Sequence, residues 1–400
     1  MKKELFLLLV ILFCTNLLSL NGFGGITQKL CYYPLLGFMM IYTLVHRDVI
    51  SRNTFGRILK LMILCSLLSA IPCYILFGQS IMDSVKAMIP FSLALICYWF
   101  MLCYKPTEQQ VIKVFTIVAF AIFALQFTQQ FFPNQAMFGV RELEYTNKVL
   151  EQRNGIYRFR IGNNCVFTFP ILFLAWVRIL RKRDISQFVT FVIMFLSVYL
   201  TLTRQVIASA LVTLFLGVYL FKLRPNKLIM FFMYVLVATV LILNFNSVFG
   251  TFFEQSSAEL DSDNYIRFLS GEYFLEESLK SPLVFLFGHG VPSGGSAYDL
   301  FINKLGDIGY YTSDVGAIGA AYEFGYIYTF LFYVLVFYIL IRYRKVIPSY
   351  LQMSVLAMTI YSIMIFSILQ AAGVIAWSMI LYLCELHIRR SPLRMNDTKI

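Results

Sequence analysis

The chain has 400 residues, of which 59% are hydrophobic and 14% are charged, with a mean hydropathy of +0.74. A soluble domain carries about a quarter charged residues, so this composition excludes an ordinary soluble protein. The net charge of +12 does not indicate a nucleic-acid-binding protein, because the basic residues lie mostly in short turns between apolar runs, and we expect no nucleic-acid partner.

Apolar runs of membrane-crossing length recur from end to end, which predicts an all-α polytopic membrane protein with about twelve transmembrane helices. The first run follows Lys2 and Lys3 as in a signal peptide, but it lacks a clear cleavage site and is predicted as a span. A count of ten or eleven is the alternative, because the last run is short. The predicted spans are Leu5–Leu20, Leu30–Val45, Ile58–Phe77, Ile81–Cys103, Val111–Phe132, Cys165–Ile179, Ser186–Leu202, Val206–Phe221, Leu228–Leu243, Gly316–Ile341, Ser349–Leu369 and Val374–His387.

Two long polar intervals divide the predicted spans into groups. Residues 1–132 contain the N-terminal transmembrane helices, residues 165–246 the central ones and residues 316–387 the C-terminal ones, followed by a polar tail at 388–400. The polar intervals are 133–164 and 247–315.

The distribution of charge predicts the orientation. With the N-terminus inside, 22 of the 33 lysines and arginines fall on the inner side, and every short inner turn is basic. This positive-inside pattern predicts that both termini are cytoplasmic and that the two polar intervals are large extracytoplasmic loops.

Several arginines on the predicted outer side are not explained by this rule. Arg158, Arg160, Arg204 and Arg267 come from three separated segments. The planar guanidinium group matches phosphate oxygens, so these residues predict a diphosphate site at the level of the lipid headgroups. Two alternatives do not involve a ligand. The Arg204 side chain extends to the membrane surface, and Arg267 pairs with Asp263 four residues earlier.

His289 is the one histidine on the predicted outer side, and it stands between Gly288 and Gly290. Flanking glycines allow close backbone approach, and a histidine there is a candidate to take a proton near neutral pH. The alternative is a loop histidine hydrogen-bonded to backbone. No second outer histidine or cysteine accompanies it, and the eight cysteines form no CxxC pair, so neither a metal site nor a cofactor is predicted.

Several short motifs lie in the middle and later part of the chain. They are Arg160-Ile161-Gly162-Asn163-Asn164, Thr203-Arg204, Arg267 followed by Ser281-Pro282-Leu283 and Gly288-His289-Gly290, Ser313-Asp314-Val315-Gly316, and Tyr322-Glu323-Phe324-Gly325. These motifs resemble those of the O-antigen polymerase and O-antigen ligase superfamily, membrane glycosyltransferases of bacterial surface polysaccharides. The ligases usually carry a His-Asn pair where this chain has Ser313-Asp314, which favours the polymerase branch.

The resemblance implies a GT-C-like fold and a polymerase of O-antigen or capsule in the bacterial cytoplasmic (inner) membrane, with its active site facing outward. Such an enzyme transfers a glycan from polyprenyl diphosphate to a hydroxyl of an incoming lipid-linked repeat unit, without a metal. Its expected partners are the polyprenyl-diphosphate-linked oligosaccharide, membrane lipid and a chain-length regulator.

The resemblance also implies roles for individual residues. Arg160, Arg204 and Arg267 would bind the diphosphate and stabilise the charge that builds up on it, with Arg158 as a weaker candidate. His289 is the first choice for the base that activates the acceptor hydroxyl, and Glu272 is the second. Asp314 would orient the acceptor or an arginine.

Three other functions compete with this interpretation. A transporter or flippase of lipid-linked oligosaccharides also fits twelve spans, but such proteins usually show internal repeats, and none is visible in this sequence. A ligase that moves finished glycan is the rival with the same chemistry. A receptor or a purely structural protein ranks third, because it gives the outer arginines no purpose.

Overall fold

A computed structural model of the chain is almost entirely helical. Two three-residue strands, β1 (Glu151–Arg153) and β2 (Ile156–Arg158), pair antiparallel. The described residues are 3–14, 26–46, 53–132, 151–153, 156–158, 165–181, 184–221, 266–366 and 371–391. Their helices are α1 (Lys3–Cys14), α2 (Ile26–Val45), α3 (Gly56–Leu68), α4 (Ala70–Phe77), α5 (Ile81–Met88), α6 (Ile96–Tyr104), α7 (Glu108–Gln129), α8 (Cys165–Arg181), α9 (Ile185–Leu200), α10 (Arg204–Leu220), α11 (Ile266–Leu279), α12 (Pro282–Phe287), α13 (Ala297–Asp307), α14 (Gly316–Phe337), α15 (Ser349–Met364) and α16 (Ala371–Arg390).

Four helical segments among the described residues are long and apolar enough to cross a membrane. They are Gly56–Phe77, Glu108–Gln129, Gly316–Arg342 and Ala372–Arg390, and shorter apolar helices include Ile185–Leu200 and Gln205–Leu220. The chain therefore has the helices of a membrane protein. Twelve spans remain a prediction, and the predicted span Leu228–Leu243 lies outside the described residues.

The predicted span Ile81–Cys103 is not one continuous helix. It divides into α5, a turn that contains Pro90, a short 3-10 helix and α6. Proline lacks the backbone N–H that an uninterrupted helix needs, and Asp83 and Lys86 form an exposed ion pair at 3.2 Å on α5. In contrast, the last predicted span is longer than Val374–His387, because α16 continues to Arg390.

Polar side chains hold one end of the helical bundle together, and we call this end the basic face. Lys3 Nζ donates to the backbone oxygen of Lys105 at 2.9 Å. Glu108 accepts a hydrogen bond from Tyr350 Oη at 3.0 Å and lies 3.1 Å from His387 Nε2. These contacts join the starts of α1, α7 and α15 to the ends of α6 and α16.

The start of α3 is fixed near the same face by Glu385, whose side chain is completely buried. This carboxylate accepts hydrogen bonds from the backbone N–H of Thr54 and from Arg389 Nε, each at 2.9 Å. Because a buried carboxylate is costly unless it is paired, these donors are needed to keep it inside the protein.

The other ends of these helices form a second face, which we call the loop face. From the basic face α7 runs 22 residues, about 33 Å, and near its end Gln126 Oε1 accepts a hydrogen bond from Ser197 Oγ at 2.7 Å. The end of α9 therefore lies at the loop face, and so does the turn that leads into α10 at Arg204. The start of α14 at Gly316 packs against the backbone at Ile363, near the end of α15.

Gln79, just after α4, ties the later polar segment to the loop face. Its side chain is buried, and Nε2 donates to Ser84 Oγ at 2.8 Å and to the backbone oxygen of Val291 at 3.0 Å. Its Oε1 accepts from the backbone N–H of Ser293 at 2.9 Å and from Ser296 Oγ at 2.8 Å. The described part of the second polar interval, residues 266–315, thus lies opposite the basic face.

Candidate functional site at a break in a membrane helix

Residues 266–315 fold into a compact cap on the loop face, in which α11 and α12 pack on the first part of α14 and α13 packs on α4. The cap has its own apolar core, separate from that of the bundle. Aromatic side chains buried there hold two of these helices in place, because Phe274 of α11 lies 4.7 Å from Tyr322 of α14 and Tyr298 of α13 stacks on Phe77 of α4 at 4.2 Å, both measured between ring centroids. The buried residues of this core are Cys73, Phe274, Tyr298, Leu305, Val315 and Tyr322.

The helix α14 is broken at Gly325, whose backbone angles of φ 84° and ψ 163° are not helical. A break removes the helical N–H donors that the preceding carbonyl groups would use. The cap supplies replacements, because the His289 N–H donates to the Tyr322 oxygen at 2.7 Å and the Gly290 N–H donates to the Glu323 oxygen at 2.8 Å. Non-helical backbone inside a membrane helix is tolerated where protein covers it in this way.

Glycine is required on both sides of this contact. A Cβ atom at Gly288, where φ is +77°, would lie 2.5 Å from the backbone of Glu323. A Cβ atom at Gly325, where φ is +84°, would lie 2.1 Å from the Leu286 oxygen. The Gly288-His289-Gly290 motif and the Tyr322-to-Gly325 motif are therefore two halves of one packed junction.

His289 lies inside this junction and is only 4% exposed. Its ring stacks on Tyr322 with centroids 4.1 Å apart, and its Nδ1 lies 3.3 Å from the backbone oxygen of Tyr322. Burial lowers the pKa of His289 to about 4, so the imidazole is neutral at pH 7. The neutral ring could accept a proton, but it is buried away from solvent. Its catalytic role stays a prediction.

The buried imidazole should make stability depend on pH. The pKa of His289 is about 4 in the folded protein, against 6.5 ordinarily, so the unfolded chain binds the proton first as pH falls. Protonation of His289 therefore leaves the free energy of unfolding unchanged above pH 6.5. As the pH falls from 6.5 to 4, it lowers the free energy of unfolding by about 3 kcal/mol in total. We expect denaturant unfolding in detergent micelles to show this loss between pH 7 and pH 4. His289→Phe, which keeps the ring stacking, should lose correspondingly less; equal losses in both proteins would contradict a buried neutral imidazole.

The two acids predicted as catalytic residues, Glu272 and Asp314, lie in the same cap as His289. Glu272 is exposed on α11, and Asp314 is half-buried in a 3-10 turn at Thr312–Asp314. The residues next to these acids in sequence, Gly271 and Val315, lie close together, because a Cβ atom at Gly271 would lie 3.9 Å from the Val315 side chain. The structure thus brings together segments of α11 and the 3-10 turn that are about forty residues apart.

The predicted diphosphate-binding arginines are described to different extents. Arg267 is half-buried in the first turn of α11. Arg204 is the first residue of α10 at the loop face, and Arg158 is the last residue of β2, but their side chains lie outside the described atoms. Arg160 lies outside the described residues. Convergence of these arginines on one ligand therefore remains a prediction.

Glu323 stands at the helix break and is a further candidate residue, to which the sequence motifs gave no role. Its Oε1 accepts a hydrogen bond from Thr312 Oγ1 at 2.7 Å, and its side chain is half-buried. The available signal was a carboxylate inside an apolar run, which is costly and rare in membrane helices. Within the described ranges, no three histidine, cysteine or acidic side chains lie close enough to hold a metal ion.

The fold and this junction define a helical membrane protein with a folded polar cap over a broken helix. No family model matches the chain, and no curated protein is similar to it in sequence.

Proposed function

We propose that this protein is a polymerase of bacterial surface polysaccharide, such as O-antigen or capsule. The observation that supports this proposal most directly is the packing of the cap. Motifs that are distant in sequence meet in one unit on the loop face. They are the α11 segment of Arg267, Gly288-His289-Gly290, Ser313-Asp314 and Tyr322-to-Gly325. Several polar groups on a rigid support are what a transfer reaction at a membrane surface requires.

The proposed reaction joins two lipid-linked glycans. A hydroxyl of the incoming repeat unit attacks the anomeric carbon of the growing glycan, and the bond from that carbon to polyprenyl diphosphate breaks. Negative charge builds up on the departing diphosphate, and Arg160, Arg204 and Arg267, assisted by Arg158, stabilise it. Because the diphosphate is already a good leaving group, no metal or cofactor is part of the proposal.

The orientation follows from the positive-inside rule. The basic face, with both termini, is assigned to the cytoplasm, and the loop face with its cap is assigned to the outer side of the bacterial cytoplasmic membrane. A GT-C-like arrangement of about twelve helices completes the proposal. A protein that regulates chain length is a further proposed partner.

A flippase for lipid-linked oligosaccharides is the second candidate, and the break in α14 favours it, because transporters bind substrates at discontinuous helices. In this chain, however, the Tyr322 and Glu323 carbonyls at the break are occupied by amides of the cap. A carbonyl that already accepts a hydrogen bond is less available to a moving substrate, so the polymerase ranks first.

Deletion of the coding gene separates the two candidates. Loss of a polymerase leaves single repeat units attached to the final acceptor. Loss of a flippase leaves lipid-linked repeat units on the inner side of the cytoplasmic membrane. We expect single attached repeats on a gel of the surface glycan, and restoration of long chains by the wild-type gene. Lipid-linked repeats accumulating on the inner side would overturn the polymerase in favour of the flippase, and an unchanged glycan would overturn both.

A further inference from the structure

Glu323 is an ionisable residue inside a candidate membrane helix. It lies seven residues after Gly316, or about 10 Å below the loop-face end of α14. In the described part of the chain, no lysine or arginine forms an ion pair with it. A carboxylate at this depth without a cation is costly, and ionisable residues in membrane helices commonly mark functional sites.

The Glu323 side chain is directed toward the cap. Its hydrogen-bond donor, Thr312, belongs to the 3-10 turn that precedes α14. This turn lies directly on the helix, because a Cβ atom at Gly319 would be 1.9 Å from the Thr312 oxygen. The carboxylate therefore points toward the 3-10 turn of the cap, at the face where the proposed substrate would bind.

Glu323 is also more accessible than the other titratable groups of the junction. His289 is 4% exposed, and Tyr322 and Tyr328 are 0% exposed, whereas Glu323 is half-buried. The carboxylate engages one oxygen with Thr312, and its second oxygen makes no hydrogen bond with a described residue. That oxygen has lone pairs free to accept a proton.

The geometry points to Glu323 as the general base that activates the acceptor hydroxyl, an inference that rests on the proposed polymerase function. In this step a Glu323 oxygen takes the proton of the acceptor hydroxyl as the hydroxyl oxygen bonds to the anomeric carbon. The bond between that carbon and the diphosphate oxygen breaks at the same time, and the lipid diphosphate leaves with the electron pair. The protonated carboxyl group then returns its proton to water. His289, which sequence analysis placed first for this role, instead supports the junction.

The test compares Glu323→Gln, Glu323→Asp and Thr312→Val in membranes of the deletion strain, with that strain's own polyprenyl-diphosphate-linked repeat unit as substrate. Glutamine keeps an oxygen that accepts the Thr312 hydrogen bond, so it preserves the structural contact and removes only the base. We expect the initial rate of polymer formation to fall at least about 100-fold in Glu323→Gln, at wild-type protein levels. Glu323→Asp should retain partial activity, and Thr312→Val should stay within about tenfold of wild type because its carboxylate remains.

The outcomes distinguish failure of the base assignment from failure of the polymerase function. Full polymerisation by Glu323→Gln would overturn the base assignment while the polymerase function stands. Loss of activity in Thr312→Val equal to that in the other two variants would also overturn it, since the residue would then act only as a structural link. If Glu323→Gln fails to accumulate, the comparison of Glu323→Asp with Thr312→Val still decides between these roles. Absence of polymer with the wild-type protein would overturn the polymerase function itself, and the base assignment with it.

Discussion

Replacing Gly325 with alanine is expected to lower the free energy of unfolding by about 2–6 kcal/mol and to abolish function. Two independent costs add to this value. The backbone angles at Gly325 are nearly exclusive to glycine, which costs about 1–3 kcal/mol for another residue. The new methyl group would also lie 2.1 Å from the Leu286 oxygen, an overlap that forces backbone movement at a similar cost. Denaturant unfolding of the purified protein in detergent measures the sum.

Gly294→Ala is the matched control for this experiment. Gly294 lies in the same cap, and a Cβ atom there would meet nothing within 4 Å. Its φ is not positive, so alanine introduces no strain, and we expect a change within about 0.5 kcal/mol. Equal stability of Gly325→Ala and Gly294→Ala would mean that α14 is not broken against the cap as described.

The sequence predicts the positions of most helices but not how they are interrupted. Hydrophobic runs are sufficient to locate α7, α9 and α10, because a membrane-crossing helix needs little beyond length and apolarity. The run Ile81–Cys103 satisfied the same criterion and was predicted wrongly, since hydropathy averages over Pro90 and the short polar stretch before it. Gly325 was quoted as part of a motif, but its backbone angles are a property of the contact with Leu286 and Gly288.

The candidate site was predictable only in part, because its key contacts join distant segments. Gln79 carries no recognisable signal in its own surroundings, and its partners in the cap lie 212 to 217 residues later. Glu323 is marked in the sequence by a carboxylate inside an apolar run, but its contact with Thr312 depends on how the 3-10 turn packs against α14. His289 was singled out correctly as a residue of close backbone approach, yet the sequence gives no measure of its burial.

A large loss of activity is also expected when the arginines of the loop face are replaced. Arg204→Ala and Arg267→Ala should each reduce polymer formation by about 100-fold or more, the usual cost of removing a group that stabilises charge in a transition state. Both proteins should still insert in the membrane, because Arg204 begins α10 at the loop face and Arg267 lies on the first turn of α11, outside the apolar runs. The length distribution of the surface glycan on a gel, normalised to protein in the membrane, measures the effect.

Two further variants separate phosphate binding from a general effect of charge. Arg267→Lys keeps the positive charge but loses the planar pair of donors, so we expect activity between that of wild type and Arg267→Ala. Lys304→Ala removes an exposed positive charge from α13 in the same cap, and it should leave chain length unchanged. If Arg204→Ala and Arg267→Ala both produce polymer of normal length, these residues do not bind the diphosphate. If Lys304→Ala shortens the polymer as much as Arg267→Ala does, loss of any one positive charge in the cap is enough, and a specific diphosphate site is contradicted because it requires the effect to depend on position.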